Sequence, residues 1–190
     1  MTHEGLDVQG VLIGNETFVN GTEEETYLTG YHKKLFEKVI AVGPEKRIGI
    51  ENVEIKTLHT KSEDKSQIGF KFYTPKFVMS YSSDTGYSKE IVKQYEGSDI
   101  LILNVTLPFN EKNDHLLNSD DAVRIIEKVK PKLAVITHFG KKMLSADPLY
   151  ESREIQKQTG VQVIAAKDGL EVNPHSYSAS LKQKTLNLYN

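Results

Sequence analysis

The sequence predicts an α/β fold, and three observations support this prediction. Short apolar runs bounded by turn residues dominate the first half of the chain, which is the pattern of strands. From residue 85 onward, apolar helical stripes alternate with short apolar runs, as expected where crossover helices cover a sheet. The 190 residues, 38% of them hydrophobic and 26% charged, suit one globular domain that buries a single core.

Five apolar runs in the first half predict strands, at residues 10–14, 47–50, 53–58, 67–73 and 76–81. Glu51-Asn52 is placed to form a hairpin between the second and third runs. In the fourth run Ile68, Phe70 and Phe72 alternate with residues 69, 71 and 73. This is the period-2 pattern of a half-buried strand.

Two amphipathic helices are predicted in the second half. Ser88 is placed to cap the first helix, and Gly97 ends it. Ser119 is placed to cap the second, with acidic residues at its positive end, and Pro131 stops it. The apolar faces consist of Ile91, Val92 and Tyr95 in the first helix and of Ala122, Ile125, Ile126 and Val129 in the second.

The remaining elements complete a helix–strand alternation. Apolar runs at 100–105, 133–137 and 161–166 predict strands. Asp147-Pro148 predicts the start of a further helix that ends near Gly160, and Asp168-Gly169 resembles a hairpin turn. We predict one domain over residues 1–172 and a polar tail over residues 173–190.

The composition excludes several kinds of protein. With no cysteine, the chain can form neither a disulfide framework nor a thiolate zinc site. The 24 basic and 26 acidic residues give a net charge of −2, which is too balanced to predict a nucleic-acid surface. No apolar run approaches the roughly 20 residues of a membrane span, and residues 1–7 lack the regions of a signal peptide. We therefore expect a cytoplasmic protein with no membrane partner.

Three candidate metal ligands follow predicted strands at the point where the chain turns. His59 follows VEIKTL, Asp84 follows KFVMSYSS, and His138 follows LAVIT. Because loops leaving the carboxyl ends of strands gather at one edge of a layered α/β fold, these side chains can converge there. Two imidazoles and a carboxylate suit zinc or a similar divalent ion. The alternative is that each residue serves only as a polar turn residue.

Four segments around these residues resemble the metallo-β-lactamase fold, and its ribonuclease Z-like and phosphodiesterase-like branches in particular. The segments are HTKSEDKSQIGFKF at 59–72, FVMSYSSDTGYS at 77–88, DHLLNSDDAVRIIEKVKPKLAVITHFG at 114–140 and VQVIAAKDGLEV at 161–172. The resemblance covers residues 10–172. It implies that His59 ligates one metal, that Asp84 bridges two metals and that His138 holds the second. It also implies that His115 stabilises or protonates the reacting phosphate.

The chain departs from this family in one respect. The HxHxDH segment that supplies most ligands of the first metal is not found, and the nearest string keeps only His3 and Asp7. The resemblance therefore implies an αββα sandwich that is missing its amino-terminal strands. About two protein ligands would remain for each ion, which is fewer than the three or four of ordinary zinc sites. We expect weak metal binding.

The resemblance implies a metal-dependent hydrolase that attacks a phosphodiester or other ester through metal-bound hydroxide. The cofactor is expected to be a divalent metal, with zinc first and manganese or iron as alternatives. The substrate is a small molecule or a phosphodiester, and nucleic acid stays open without support from the charge. A non-catalytic interaction module and a truncated fragment are the alternatives. A homo-oligomer is also possible, because an incomplete sheet exposes strand edges.

Overall fold

The computed structural model describes residues 10–21 and 28–177. The strands are β1 (Val11–Asn15), β2 (Lys38–Val42), β3 (Arg47–Ile50), β4 (Val53–Leu58), β5 (Gly69–Tyr73), β6 (Val78–Tyr81), β7 (Ile100–Leu107), β8 (Leu117–Asn118), β9 (Leu133–Thr137) and β10 (Gln162–Ala165). The helices are α1 (Glu16–Asn20), α2 (Gly30–Lys34), α3 (Lys89–Tyr95), α4 (Ser119–Val129), α5 (Lys141–Ala146) and α6 (Pro148–Thr159), followed by a short 3-10 helix at Pro174–Tyr177. The predicted mixed α/β class is confirmed.

An eight-stranded sheet forms the centre of the fold. Its order is β10-β9-β7-β6-β5-β4-β3, and β8 pairs with β7 beyond this path. The neighbours β10, β9, β7 and β6 are parallel, whereas β3, β4, β5 and β6 pair antiparallel in succession. Strands β4, β6, β7, β9 and β10 therefore run in one direction, and their carboxyl ends share one edge of the sheet. Separately, β1 and β2 form a parallel pair.

One face of the sheet carries the main hydrophobic core. Leu101, Leu103 and Val105 alternate along β7 and are fully buried, because they face the helices that follow. Helix α4 buries Ala122, Ile125 and Ile126 in the same cluster, as its predicted stripe requires. A contiguous cluster of this kind supplies most of the favourable free energy of folding. The core thus fixes β7 as the rigid centre beneath the loops at its carboxyl end.

The opposite face of the sheet is covered in part by the segment after β10. Ile100, Leu133 and Val135 form its buried cluster. The amide of Ala166 donates to the Ile136 carbonyl at 2.9 Å, and Lys132 Nζ donates to the Tyr177 carbonyl at 2.9 Å. Between this segment and the sheet lies a mostly apolar cavity of about 440 Å³.

Three local predictions need correction. Asn118, and not Ser119, caps α4, because its Oδ1 accepts from the Asp121 amide at 2.8 Å. Asp168-Gly169 forms a turn, but no strand follows it within the described residues, so it does not close a hairpin. The predicted half-buried strand β5 buries Lys71, which is 5% exposed. Its ammonium donates to two carbonyls at the end of α3, those of Gln94 and Glu96, and these bonds offset the burial of charge.

Several elements were not predicted from the sequence, namely α1, α2, β2, β8, α5 and the 3-10 helix. They are short, and a five-residue helix or two-residue strand has too few positions to show a period. Residues 178–190 of the predicted tail lie outside the described residues, as do His3 and Asp7. None of the described helices is long and apolar enough to cross a membrane.

Candidate metal centre

Asp84 and His138 meet at the carboxyl edge of the sheet. Asp84 lies in the loop after β6, and His138 directly follows β9. The Nε2 atom of His138 is 3.3 Å from Oδ2 of Asp84. The Asp84 side chain is 21% exposed and that of His138 is 57% exposed, so the pair is open to solvent on the imidazole side. The structure thus brings together two of the three predicted metal ligands.

Both loops adopt left-handed backbone at a residue other than glycine. Ser83 has φ 56° and His138 has φ 61°. Such residues cost free energy and persist only where the surrounding contacts hold them. After His138, the Gly140 amide donates to the Thr106 carbonyl at 3.1 Å. A Cβ atom at Gly140 would lie 2.8 Å from that carbonyl oxygen, so this close approach requires glycine.

Gln67 holds the loop that carries Asp84. Its Oε1 accepts from the Ser83 hydroxyl at 2.9 Å and from the Asp84 amide at 3.2 Å. One residue further on, the Thr85 hydroxyl accepts from the Lys61 amide at 2.8 Å. These bonds fix the backbone on both sides of the carboxylate, so the position of Asp84 is set by the segment between β4 and β5.

Asn104 on β7 contacts the Asp84 carboxylate directly. Its Nδ2 donates to Oδ1 of Asp84 at 2.7 Å and to the Tyr81 hydroxyl at 3.3 Å. Asn104 is 4% exposed. A bond to a carboxylate is stronger than one between neutral groups, so Asn104 restrains the orientation of Asp84.

His59 lies at the same edge but is turned to a different partner. Its Nε2 is 3.8 Å from Oε2 of Glu45, and its side chain is 53% exposed. The Gln94 side chain on α3 makes two hydrogen bonds to the His59 backbone. It accepts from the His59 amide at 2.8 Å and donates to the His59 carbonyl at 3.2 Å. The backbone of His59 is therefore fixed, whereas the imidazole contacts Glu45 and not the Asp84–His138 pair.

His115 lies in the loop between β7 and β8, which packs on the segment after Asp84. A Cβ atom at Gly86 would lie 1.9 Å from the Asp114 carbonyl oxygen and 3.1 Å from the His115 amide nitrogen. The Nδ1 atom of His115 is buried and has no hydrogen-bond partner within the described residues. An unpaired buried imidazole nitrogen lowers the stability of the folded state, so its presence calls for an explanation.

A polar cavity of about 510 Å³ adjoins the His115 loop on the side of α4. Lys61 and Arg124 lie in its wall together with Asp114 and Asp121. Burial raises the pKa of the Asp121 carboxyl above its usual range, while a backbone hydrogen bond from Asn118 and the positive charge of Arg124 oppose the shift. Arg124 also stacks over the Tyr87 ring, 5.6 Å from its centroid. The cavity mixes both signs of charge.

The donor chemistry of Asp84 and His138 suits a divalent metal, since a carboxylate oxygen and an imidazole nitrogen are common ligands of zinc, manganese and iron. The pair is a partial set. Across the part of the chain that the structure describes, no group of three His, Asp or Glu side chains is arranged to hold a metal ion. His59 would have to leave Glu45 to become the third ligand.

Sequence reasoning missed the residues that position these groups: Gln67, Gln94, Asn104 and Glu45. Each acts across the fold, for example Gln94 on His59 from 35 positions away. One signal was available for Asn104, because a polar residue inside the apolar run ILILNVTL is rarely buried without a specific partner. For the others, the sequence carries no such signal.

Residues 23–139 match the model of a family described as "Beta-lactamase superfamily domain". This match covers more than half of the chain. The chain belongs to the beta-lactamase superfamily. The resemblance drawn from the sequence is thereby confirmed, and the superfamily identity also accounts for the order of strands and helices around the Asp84–His138 edge.

One curated protein similar to this chain is the uncharacterized protein MJ1374 of Methanocaldococcus jannaschii. It is 34% identical over 167 residues, which is 86% of this chain and 62% of the relative. The chain therefore spans about three fifths of the length of this relative. Its name assigns no activity.

Solved structures of other beta-lactamase-fold proteins share the architecture. The metallo-beta-lactamase fold protein YhfI from Bacillus subtilis superposes with a TM-score of 0.70 at 18% identity, over 84% of this chain and 62% of YhfI. A diphosphatase of the PhnP family gives 0.62 at 19%, over 86% and 58%. Zinc-bound PqqB from Methylobacterium extorquens gives 0.65 at 8%, over 88% and 66%. At these identities the likeness shows the fold alone.

Proposed function

We propose that this chain is a metal-dependent hydrolase that cleaves a phosphodiester or another ester. The observation that carries the proposal is the 3.3 Å approach of His138 Nε2 to Asp84 Oδ2, at the edge of the sheet where ligands bind in folds of this type. Membership of a superfamily of hydrolases supports it. The two loops hold an oxygen and a nitrogen donor side by side on strained backbone, which is a common arrangement at functional sites.

Asp84 and His138 are the proposed ligands, and His59 is the third. The His59 imidazole is half-exposed and its ion pair with Glu45 is long, so turning away from Glu45 costs little. A bound divalent cation would supply Lewis acidity and lower the pKa of a coordinated water. Asn104 and Gln67 hold the Asp84 carboxylate and its backbone in place.

His115 is the proposed proton donor to the leaving group. Its loop is seated on Gly86, two residues after Asp84, which keeps the imidazole near the carboxylate edge. One ring nitrogen is buried and unpaired within the described part of the chain. General acids of this kind contribute when they reach the departing oxygen directly or through one water.

The substrate class is proposed from chemistry and from the relatives. A diphosphatase of the PhnP family and an isothiocyanate hydrolase are both among the structural neighbours, so the fold accommodates more than one kind of bond. We favour a phosphodiester because His115 suits a reacting phosphate. Lys142, four residues after His138, is already paired with Glu111 at 2.7 Å, so it is not counted as support for an anionic substrate. Zinc is the first choice of metal, as in the zinc-bound PqqB neighbour, and iron and manganese are the alternatives.

The test is metal binding together with turnover. The chain is stripped with a chelator, reloaded with zinc, manganese or iron, and assayed with bis(para-nitrophenyl) phosphate. We expect bound metal and slow hydrolysis that His138→Ala abolishes. The matched control is His175→Ala, because His175 is exposed and contacts the Phe77 ring. A folded chain that binds no metal and turns over no ester would reject the proposal.

A non-catalytic interaction domain is the second candidate function. It is favoured by the partial ligand set, since the described residues offer no group of three donors for a metal. Strands β3 and β10 end the described sheet path, and unpaired edges can pair with another chain, including a second copy. Light scattering together with a measurement of bound metal distinguishes the hydrolase from the interaction domain. A stable monomer that binds metal would contradict this second function.

A further inference from the structure

The geometry points to Asn104 as the residue that positions Asp84 for metal binding. This inference rests on the proposed function and assigns a role to a residue that does not itself need to touch the metal. Three observations carry it: the bond to the carboxylate, the burial of the amide and the oxygen that the amide leaves unpaired.

Asn104 is tied into the sheet on its backbone side. Its amide nitrogen donates to the Ser82 hydroxyl at 3.0 Å, and Ser82 in turn donates its own amide to the Ile102 carbonyl at 3.0 Å. Asn104 also pairs in register with Thr137, the residue before His138. Asn104 therefore lies between the two loops that carry the proposed ligands, on β7, which pairs with β6 on one side and β9 on the other.

The side-chain amide of Asn104 donates both of its hydrogens within the site. Nδ2 lies 2.7 Å from Asp84 Oδ1 and 3.3 Å from the Tyr81 hydroxyl. The reverse orientation of the amide would set its oxygen against a carboxylate oxygen, and two acceptors repel. The orientation with Nδ2 toward Asp84 is thus the only favourable one.

This orientation leaves Oδ1 of Asn104 buried without a partner in the described residues. A buried acceptor without a partner costs free energy, which an apolar residue of the same size would avoid. The unpaired oxygen itself therefore does not favour an asparagine at this position. The bond to Asp84 does explain it, because it occupies Oδ1 of the carboxylate and leaves Oδ2 facing His138.

The variants Asn104→Leu and Asn104→Ala test this role, with Thr106→Val as the matched control. Thr106 lies on the same face of β7, and its hydroxyl is also buried and unpaired within the described structure. Co²⁺ is the probe, because its visible spectrum reports the geometry of its ligands. We expect both Asn104 variants to bind Co²⁺ about 10- to 100-fold more weakly, with an altered spectrum, as for other residues that orient a ligand. Thr106→Val should match the wild type.

Thermal unfolding separates positioning from a structural role. Asn104→Leu removes an unpaired buried acceptor but also the bond to Asp84, so the two effects oppose each other and its melting temperature should stay close to that of the wild type. Should Asn104→Leu fail to fold, Asn104→Ala removes the same amide without adding apolar volume and decides the matter. Wild-type Co²⁺ affinity in the folded Asn104 variants would overturn the inference, and so would an equal loss in Thr106→Val.

A metal-free measurement keeps this inference distinct from the proposed function. In the apo chain, the ring ¹⁵N resonances of His138 report its contact with Asp84. They should shift in Asn104→Leu and stay in place in Thr106→Val. If the wild-type chain binds no Co²⁺, the proposed function fails, and these resonances alone decide whether Asn104 positions Asp84. Unchanged resonances in Asn104→Leu would overturn it.

Discussion

The Nε2 atom of His138 lies 3.3 Å from Oδ2 of Asp84, although β7 separates the two strands that lead to these residues. The Asp84 and His138 side chains therefore meet across β7, beside Asn104. The Nδ2 atom of Asn104 donates to Oδ1, the other oxygen of the same carboxylate. Three neighbouring strands therefore build the site: β6 and β9 lead to the proposed ligands, and β7 between them carries Asn104.

Removing one member of this pair should weaken metal binding more than any change outside it. For Asp84→Asn we expect a loss of zinc affinity at least as large as the roughly 10- to 100-fold effect of outer-shell changes, because a neutral amide is a poorer ligand. Calorimetric titration measures it. Asp64→Asn, in the exposed turn before Ser66, is the control and should keep the wild-type affinity.

The zinc affinity of the chain should depend on the contact between His59 and Glu45. If His59 is the third ligand, Glu45→Gln releases the imidazole and leaves zinc affinity unchanged or raised, whereas His59→Ala lowers it. Both residues are largely exposed, so neither change should alter the free energy of unfolding by more than about 0.5 kcal/mol. Equal zinc affinity in wild type and His59→Ala would remove His59 from the ligand set.

Gly86→Ala should displace the loop that carries His115. The added Cβ atom would lie 1.9 Å from the Asp114 carbonyl oxygen, and backbone there has to move. We expect a loss of about 1–3 kcal/mol in the free energy of unfolding, as for other overpacked sites. Gly49→Ala is the matched control, because a Cβ at Gly49 meets nothing within 4 Å. Denaturant titration compares the two, and equal losses would contradict the close packing described.

Asp121→Asn should change stability in a pH-dependent way. Burial raises the pKa of this carboxyl in the folded state, so its charged form is disfavoured by folding. The penalty is absent below the unfolded pKa, grows as the pH rises through the folded pKa and is complete above it. We expect Asp121→Asn to be more stable than the wild type at neutral pH, with the difference shrinking in acid. A difference that grows in acid would show the opposite shift.

Much of the fold could be predicted because its signals are local. The bounds of β3, β4 and β9 match the apolar runs at 47–50, 53–58 and 133–137, and Ser88 caps α3 as expected. The cap of α4 was misplaced by one residue, since Asn118 and Ser119 are both good N-caps and only the folded backbone decides between them. The buried face of β5 was not foreseen, because Lys71 depends on carbonyls in α3.

The candidate site was predictable only in outline. Strand ends placed Asp84 and His138 at one edge, because direction and order follow from the alternation of elements. Side-chain rotation is not encoded at that level, so the turning of His59 toward Glu45 appeared only in the structure. Whether His59 and His115 act as proposed stays a prediction.

The left-handed backbone at Ser83 and His138 sets durability against the metal-binding role proposed for His138. Glycine at position 83 would relax the turn before the carboxylate and is expected to raise thermal tolerance, since glycine adopts this conformation without steric cost. At position 138 the same exchange would also relieve the backbone, but it would delete the imidazole. Selection for heat resistance alone would therefore favour glycine at both positions. Selection for the proposed metal ligand must instead keep His138 together with its conformational penalty.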